Sequence, residues 1–313
     1  MTTGFIAESL PSPSLILVIW LIGGFITLSG ALAFAELGTM FPKAGGQYIY
    51  LRETYGQGAG FLYGWAFFWV IECGGVAALA VAFAEFFGYF IPALSTKSYL
   101  LNLSIAGIDY TLSAGQLIAV AAIAILSAVN YFGIKTGIIV QNFFTFLRIA
   151  AVAVFVILGL AIGRKEGFLV SNQSLTDFSI FNLKYIGLGL IAVFWTFDGW
   201  YSVNCTAEEV KKPEWNIPLG LILGTLSVTT IYLLVNVVYL LALRIDKMKG
   251  VARIGELAST QLFGPTATFF ISGLIIVSIF GCLSASILYG PRVYYAMASA
   301  LQPQSLAQAL NKP

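Results

Sequence analysis

Asp198 and Gly199 interrupt an apolar run, Tyr185 to Phe197, that resumes through Trp200, Tyr201 and Val203. A charged residue followed by glycine at mid-depth of such a run reads as a break between two half-helices. The last carbonyls of the first half, around Trp195, Thr196 and Phe197, and the first amides of the second, from Gly199, then lack helical partners. In a bilayer such groups persist only where they line a cavity or bind a ligand. Carbonyls at a helix end suit an ammonium and amides suit an anion, so the pair suits a zwitterion. The competing reading is a kink packed against neighbouring helices, with Asp198 bonded to a local hydroxyl. The functional default for an ionisable residue inside a membrane tilts the balance towards a site.

Two more charges lie deep in apolar runs. Arg148 is the eleventh residue of Ile138–Leu160, too far in to snorkel to either surface, so it needs acceptors there. It either ties helices together or serves a site. Glu72 sits in the middle of Gly58–Phe90, where a hydrogen-bonded packing acid and a proton carrier are both open readings.

The elements that position these residues belong to a membrane protein. Of 313 residues, 59% are hydrophobic and 10% charged, against about 25% charged in a soluble domain, too few to cover a water-facing surface of this size. There is no histidine, which excludes Ser-His-Asp and Cys-His catalysis, HExxH zinc sites and histidine-bound haem. No metal or cofactor is expected, and an intramembrane enzyme would have to act without an evident Ser–Lys pair. A net charge of +2 leaves no basic stripe for nucleic acid. Cys73, Cys205 and Cys282 are odd in number and far apart in sequence, so no disulfide framework is implied.

Seven runs are long enough to span: Pro13–Leu37, Gly58–Phe90, Ser113–Tyr131, Ile138–Gly163, Lys184–Thr206, Leu219–Leu243 and Thr266–Ala298. Gly4–Leu10, ending in Pro11-Ser12-Pro13, covers half a crossing, and the opening Met-Thr-Thr lacks the basic region of a signal peptide. Lys and Arg divide almost evenly, seven against eight, between the two sets of loops, with Arg148 inside a span, so the positive-inside rule selects no orientation.

The stretch 35–53, AELGTMFPKAGGQYIYLRE, resembles the loop after the second helix of the amino acid, polyamine and organocation transporter superfamily. Phe197-Asp198-Gly199-Trp200, followed by Thr206-Ala207-Glu208-Glu209-Val210-Lys211-Lys212-Pro213 and Asn216-Ile217-Pro218, is similar to its sixth helix, most of all in the L-type amino acid transporters and their bacterial relatives. Tyr289-Gly290-Pro291-Arg292-Val293-Tyr294-Tyr295-Ala296-Met297-Ala298 resembles the end of the eighth.

The resemblance implies an all-α polytopic membrane protein holding part of a LeuT-type inverted-repeat fold, about seven and a half of twelve helices. Residues 1–163 would be the first repeat without the start of helix one, and residues 184–298 helices six to eight of the second. It further implies a chain truncated at both ends, in a single transmembrane domain of the cell (inner) membrane. The implied function is secondary transport or exchange of amino acids, neutral ones foremost, by alternating access. A non-transporting remnant and a cationic amino acid or polyamine carrier stay open.

By the same resemblance, a substrate ammonium meets carbonyls around Trp195 and Asp198, and the Trp195 ring covers the substrate, where it also attracts the ammonium. Thr196, Phe197, Gly199, Trp200 and Gly4 complete the candidate substrate set. Arg148 falls where L-type relatives carry a lysine in the place of a sodium site, so sodium independence is implied. Its planar fork departs from that lysine and asks for several fixed acceptors. Arg148, Glu72, Asn204 and Ser284 form the candidate coupling and gating set. The loop at Ile91–Leu112 has no cysteine, so no disulfide-linked heavy chain is expected and a homo-oligomer is open.

Overall fold

A computed structural model describes residues 2–10, 12–105, 108–131, 134–163, 181–251 and 253–301. The chain runs α1 (Thr2–Ser9), α2 (Pro13–Met40), α3 (Gln47–Tyr55), α4 (Gln57–Ala66), a π turn (Phe67–Glu72), α5 (Cys73–Phe90), a hairpin of β1 (Tyr99–Ile105) and β2 (Ile108–Ser113), α6 (Ala114–Tyr131) and α7 (Ile134–Ile162). There follow α8 (Phe181–Phe197), α9 (Ser202–Cys205), α10 (Pro213–Ala242), α11 (Ile245–Met248), α12 (Ile254–Phe263) and α13 (Pro265–Leu301). Among the described residues six helices are long and apolar enough to cross a membrane, and Lys184–Phe197 is a shorter apolar one. The chain is a multi-pass, almost wholly helical membrane protein, and the span expected to be interrupted is the one that falls short.

The hairpin departs from the all-helical expectation. It pairs antiparallel between α5 and α6, with Asn102 opposite Thr111 and Leu103 opposite Tyr110. Strand-forming Tyr, Leu, Ile and Thr dominate it, and its two strands pair their backbones with each other.

The chain divides into two compact units. One holds residues 1–36, 147–201 and 218–274. Its core gathers Ile6, Ile16, Ile19, Trp20, Val193, Phe197, Leu240, Leu243, Met248 and Ile254. Helices that share a lipid solvent gain little from hiding leucine from leucine, so they approach on small residues instead. Here Gly23 lies against Val193, Gly24 against Thr229, Gly189 against Ile19 and Gly159 against Val238.

The other unit holds residues 37–146, 202–217 and 275–313. Ala80 and Ala84 of α5, Ala119, Ala122 and Leu126 of α6 and Leu283 of α13 form its core. The π turn belongs here. Phe67 and Glu72 are buried while Phe68, Trp69, Val70 and Ile71 between them are exposed. In an α-helix two residues five apart point about 140° apart, whereas hydrogen bonding over five residues brings them back to one face. The π turn is therefore what turns Glu72 inward.

Candidate functional site

α8 stops at Phe197, Asp198–Tyr201 form a turn, and helix resumes only at Ser202 for the single turn of α9 before Ala207–Glu209 make a 3-10 turn. The second limb starts three residues later than Gly199 and is far shorter than a half-helix, because Gly199 takes φ +94°. That left-handed conformation turns the chain out of the helical path and suits glycine.

The unit that contains α8 supplies the surroundings of the first limb. The Thr196 hydroxyl donates to the Ala192 carbonyl and meets the hydroxyl of Thr2 at 2.5 Å. The Thr196 carbonyl, one of those released by the break, accepts from the Tyr232 phenol at 2.9 Å. Thr3 donates to Asn236 Oδ1 at 2.7 Å, and Asn236 Nδ2 donates back to the Tyr232 carbonyl at 2.8 Å. Three elements, α1, α8 and α10, are thus joined by hydroxyls and one amide. Beneath them Phe197 and Trp20 each lie 5.1 Å from Tyr232, ring centre to ring centre. Trp200 stands edge-on to Phe34 at 5.0 Å, and Gly30 leaves it room.

The predicted substrate residues therefore have different surroundings. Phe197 is core, Thr196 is tied into the hydroxyl network, and Trp200 is half-buried on Phe34. Trp195 is 71% exposed, and Asp198 is exposed too. Gly4 faces the turn after α11, where its carbonyl accepts from the Gly250 amide at 3.1 Å and a Cβ would stand 3.1 Å from the Met248 carbonyl oxygen. Arg148 is half-buried on α7 in the same unit.

The second limb has a different environment in its own unit. Asn204 and Cys205 are buried. The loop of the 35–53 stretch packs on them: the Gly45 amide donates to the Cys205 carbonyl at 3.1 Å, and the Ala44 amide lies 3.4 Å from the Glu208 carboxylate. Gly46, at φ +47°, comes so close that a Cβ would stand 3.1 Å from both the amide nitrogen and Sγ of Cys205. The Tyr50 phenol lies beside Asn204 and Cys205, and burial, with Cys205 next to it, pushes it well above the usual range, so it stays neutral. Arg292 of α13 reaches Glu209 at 3.2 Å.

Glu72 lies in this unit against α13 beside Tyr289, which also neighbours Ser202 and Ser286. Ser284 is buried on the same helix. Of the four candidate coupling residues, Glu72, Asn204 and Ser284 thus fall in one unit and Arg148 in the other.

Thr2, Thr3, Tyr232, Asn236, Tyr289 and Ser202 escaped the sequence reading. Tyr232 and Asn236, one turn apart on α10, were the available signal. The long-range pairing with α1 and α8 left none.

The amino acid permease family matches residues 1–300. The serine/threonine exchanger SteT of Bacillus subtilis is 34% identical over 287 residues, 90% of this chain and 60% of that protein. The human b(0,+)-type amino acid transporter 1 is 33% identical over 71% of this chain and 43% of its own length. The human large neutral amino acids transporter small subunit 2 is 27% identical over 94% of this chain and 52% of its own. The chain spans roughly half the length of these relatives.

Proposed function

We propose that this chain, which belongs to the amino acid permease family, moves amino acids across the cell membrane by alternating access about the Asp198-Gly199 break. The observation that carries the reading is the stop of α8 at Phe197, inside an apolar segment, where the left-handed Gly199 leaves helix-end carbonyls to be met by something other than helix. Tyr232 takes the Thr196 carbonyl. The neighbouring carbonyls of Trp195 and Phe197 receive the substrate ammonium, and the exposed Trp195 ring closes over it. Asp198, Gly199, Trp200 and Gly4 frame the rest of the pocket. No bond in the substrate is made or broken.

Neutral substrates are favoured by two relatives, one described as a serine/threonine exchanger and the other as a large neutral amino acids transporter. Arg148 takes the place of a coupling metal ion. The Ile91–Leu112 segment contains no cysteine, so the carrier works without a disulfide-linked heavy chain.

Uptake of labelled serine, leucine and arginine into proteoliposomes tests the reading. Serine and leucine should accumulate. Trp195→Ala should raise the KM several-fold without lowering the amount of folded protein, because an exposed ring contributes little to packing. Unchanged uptake in that variant would remove Trp195 from the pocket, and transport of arginine alone would replace the neutral substrate class with a cationic one.

A further inference from the structure

Glu72 closes the π turn that rotates it inward, and it is 6% exposed. From α13, the groups that face it are Tyr289, Tyr294 and the backbone at Gly290, where a Cβ would stand 3.0 Å from its Cγ and Oε1. From the limb that follows the break, Cys205 lies near it and Ser202 lies beside Tyr289, and Cys73 is next to it on its own helix. Ser286 joins the cluster through Tyr289.

Phenols and thiols ordinarily titrate above about 8, so the carboxyl is the member of this cluster whose ordinary range lies below neutrality. Its hydroxyl neighbours can serve both of its forms. Each donates to a carboxylate or, after rotation, accepts from a carboxylic acid. The contrast is Glu256, also buried at 9% exposure, which is ion-paired with Arg253 and takes a 2.9 Å bond from Ser272.

We infer that Glu72 is a proton-binding site whose occupancy sets the hold on Ser202–Cys205, so that one proton is bound and released there in each transport cycle. The carboxylate takes the proton from water on one side of the membrane and returns it to water on the other. With the proton absent, Tyr289 donates to the carboxylate and, through its contact with Ser202, holds the limb. With it present, the acid itself becomes a donor and that pull is lost. The turn Asp198–Tyr201 is continuous in sequence with Ser202, so the proton acts on the end of the substrate-binding segment. The coupling rests on the transport reading above; the proton site itself does not.

Two measurements separate them. Infrared difference spectra of the purified protein between acid and alkaline pH should show a protonated-carboxyl band that Glu72→Gln abolishes, Glu72→Asp retains, and Tyr289→Phe moves to a higher pH midpoint by removing a donor to the carboxylate. In proteoliposomes loaded with a pH dye, serine uptake should rise as the outside pH falls and carry protons inward. Glu72→Gln should lose both the pH dependence and the proton movement. An unchanged infrared band or an unchanged pH profile in Glu72→Gln would overturn the inference. Loss of the band in a protein that moves no amino acid would leave the proton site standing and remove the transport reading.

Discussion

α10 and α13 each carry a proline inside the helix, besides the one that starts it, and remain continuous, whereas α8 contains none and stops. Pro218 lies in the second turn of α10, with little helix upstream for its ring to disturb. Pro291 sits well inside α13 and withdraws a backbone donor, and one residue on, Arg292 sends a guanidinium N–H to the Leu288 carbonyl. The carbonyl that loses its donor is that of Ile287, one residue before, so the helix continues across Pro291 on its remaining backbone bonds. At α8 the left-handed Gly199 redirects the chain itself, and one released carbonyl is met from another helix, by Tyr232. Residues that weaken a helix locally are thus distinct from the residue that ends one, and the ended helix has polar company from two other helices.

Substitutions at Gly199, Tyr232 and Pro291 separate the two kinds of helix disruption. Gly199→Leu should have the largest effect. Forcing a branched side chain to φ +94° costs about 1–3 kcal/mol, and either the turn rearranges or the protein is destabilised, so uptake should fall to background while membrane insertion persists. Wild-type uptake would mean that the turn is incidental. Tyr232→Phe should be intermediate. Deleting the donor to the Thr196 carbonyl costs about 1 kcal/mol, read as a melting temperature lowered by a few degrees and, if that carbonyl stays near the substrate, a KM raised about fivefold. An unchanged melting temperature would show that the 2.9 Å bond is not what steadies the end of α8. Pro291→Ala should have the smallest effect, stabilising by no more than about 1 kcal/mol as the missing backbone bond forms, with uptake near wild type. If Pro291→Ala silenced uptake while Gly199→Leu did not, the roles of the two helices would have to be exchanged.

The spans were readable because twenty apolar residues in a row have few other uses, and the break because Asp-Gly has no place in the middle of one. The structure adds what runs of residue types do not encode. Nothing in FFWVIE separates a π turn from an α turn, since the difference lies in which residues the neighbouring helices bury. The hairpin at 99–113 hides in a loop between spans. Thr3 meets Asn236 across 233 residues of chain, and no local pattern announces such a partner. The Gly45-Gly46 pair was legible as a motif, while its work, admitting the backbone of Cys205, emerges only in three dimensions.

The helix from Gln57 to Phe90 keeps two phases. Its buried residues step by three or four from Gly60 through Gly64 to Phe67, then by five to Glu72, then by four from Ala80 to Ala84 and on to Gly88, with Phe86 buried between the last two. Losing one residue elsewhere in such a helix would swing everything beyond it about 100° out of alignment. Losing one between Phe67 and Glu72 would instead restore ordinary α-helix with both ends still facing the core. That turn is therefore where the helix tolerates a change of length, and Glu72, then the fourth residue after Phe67, would keep its inward face.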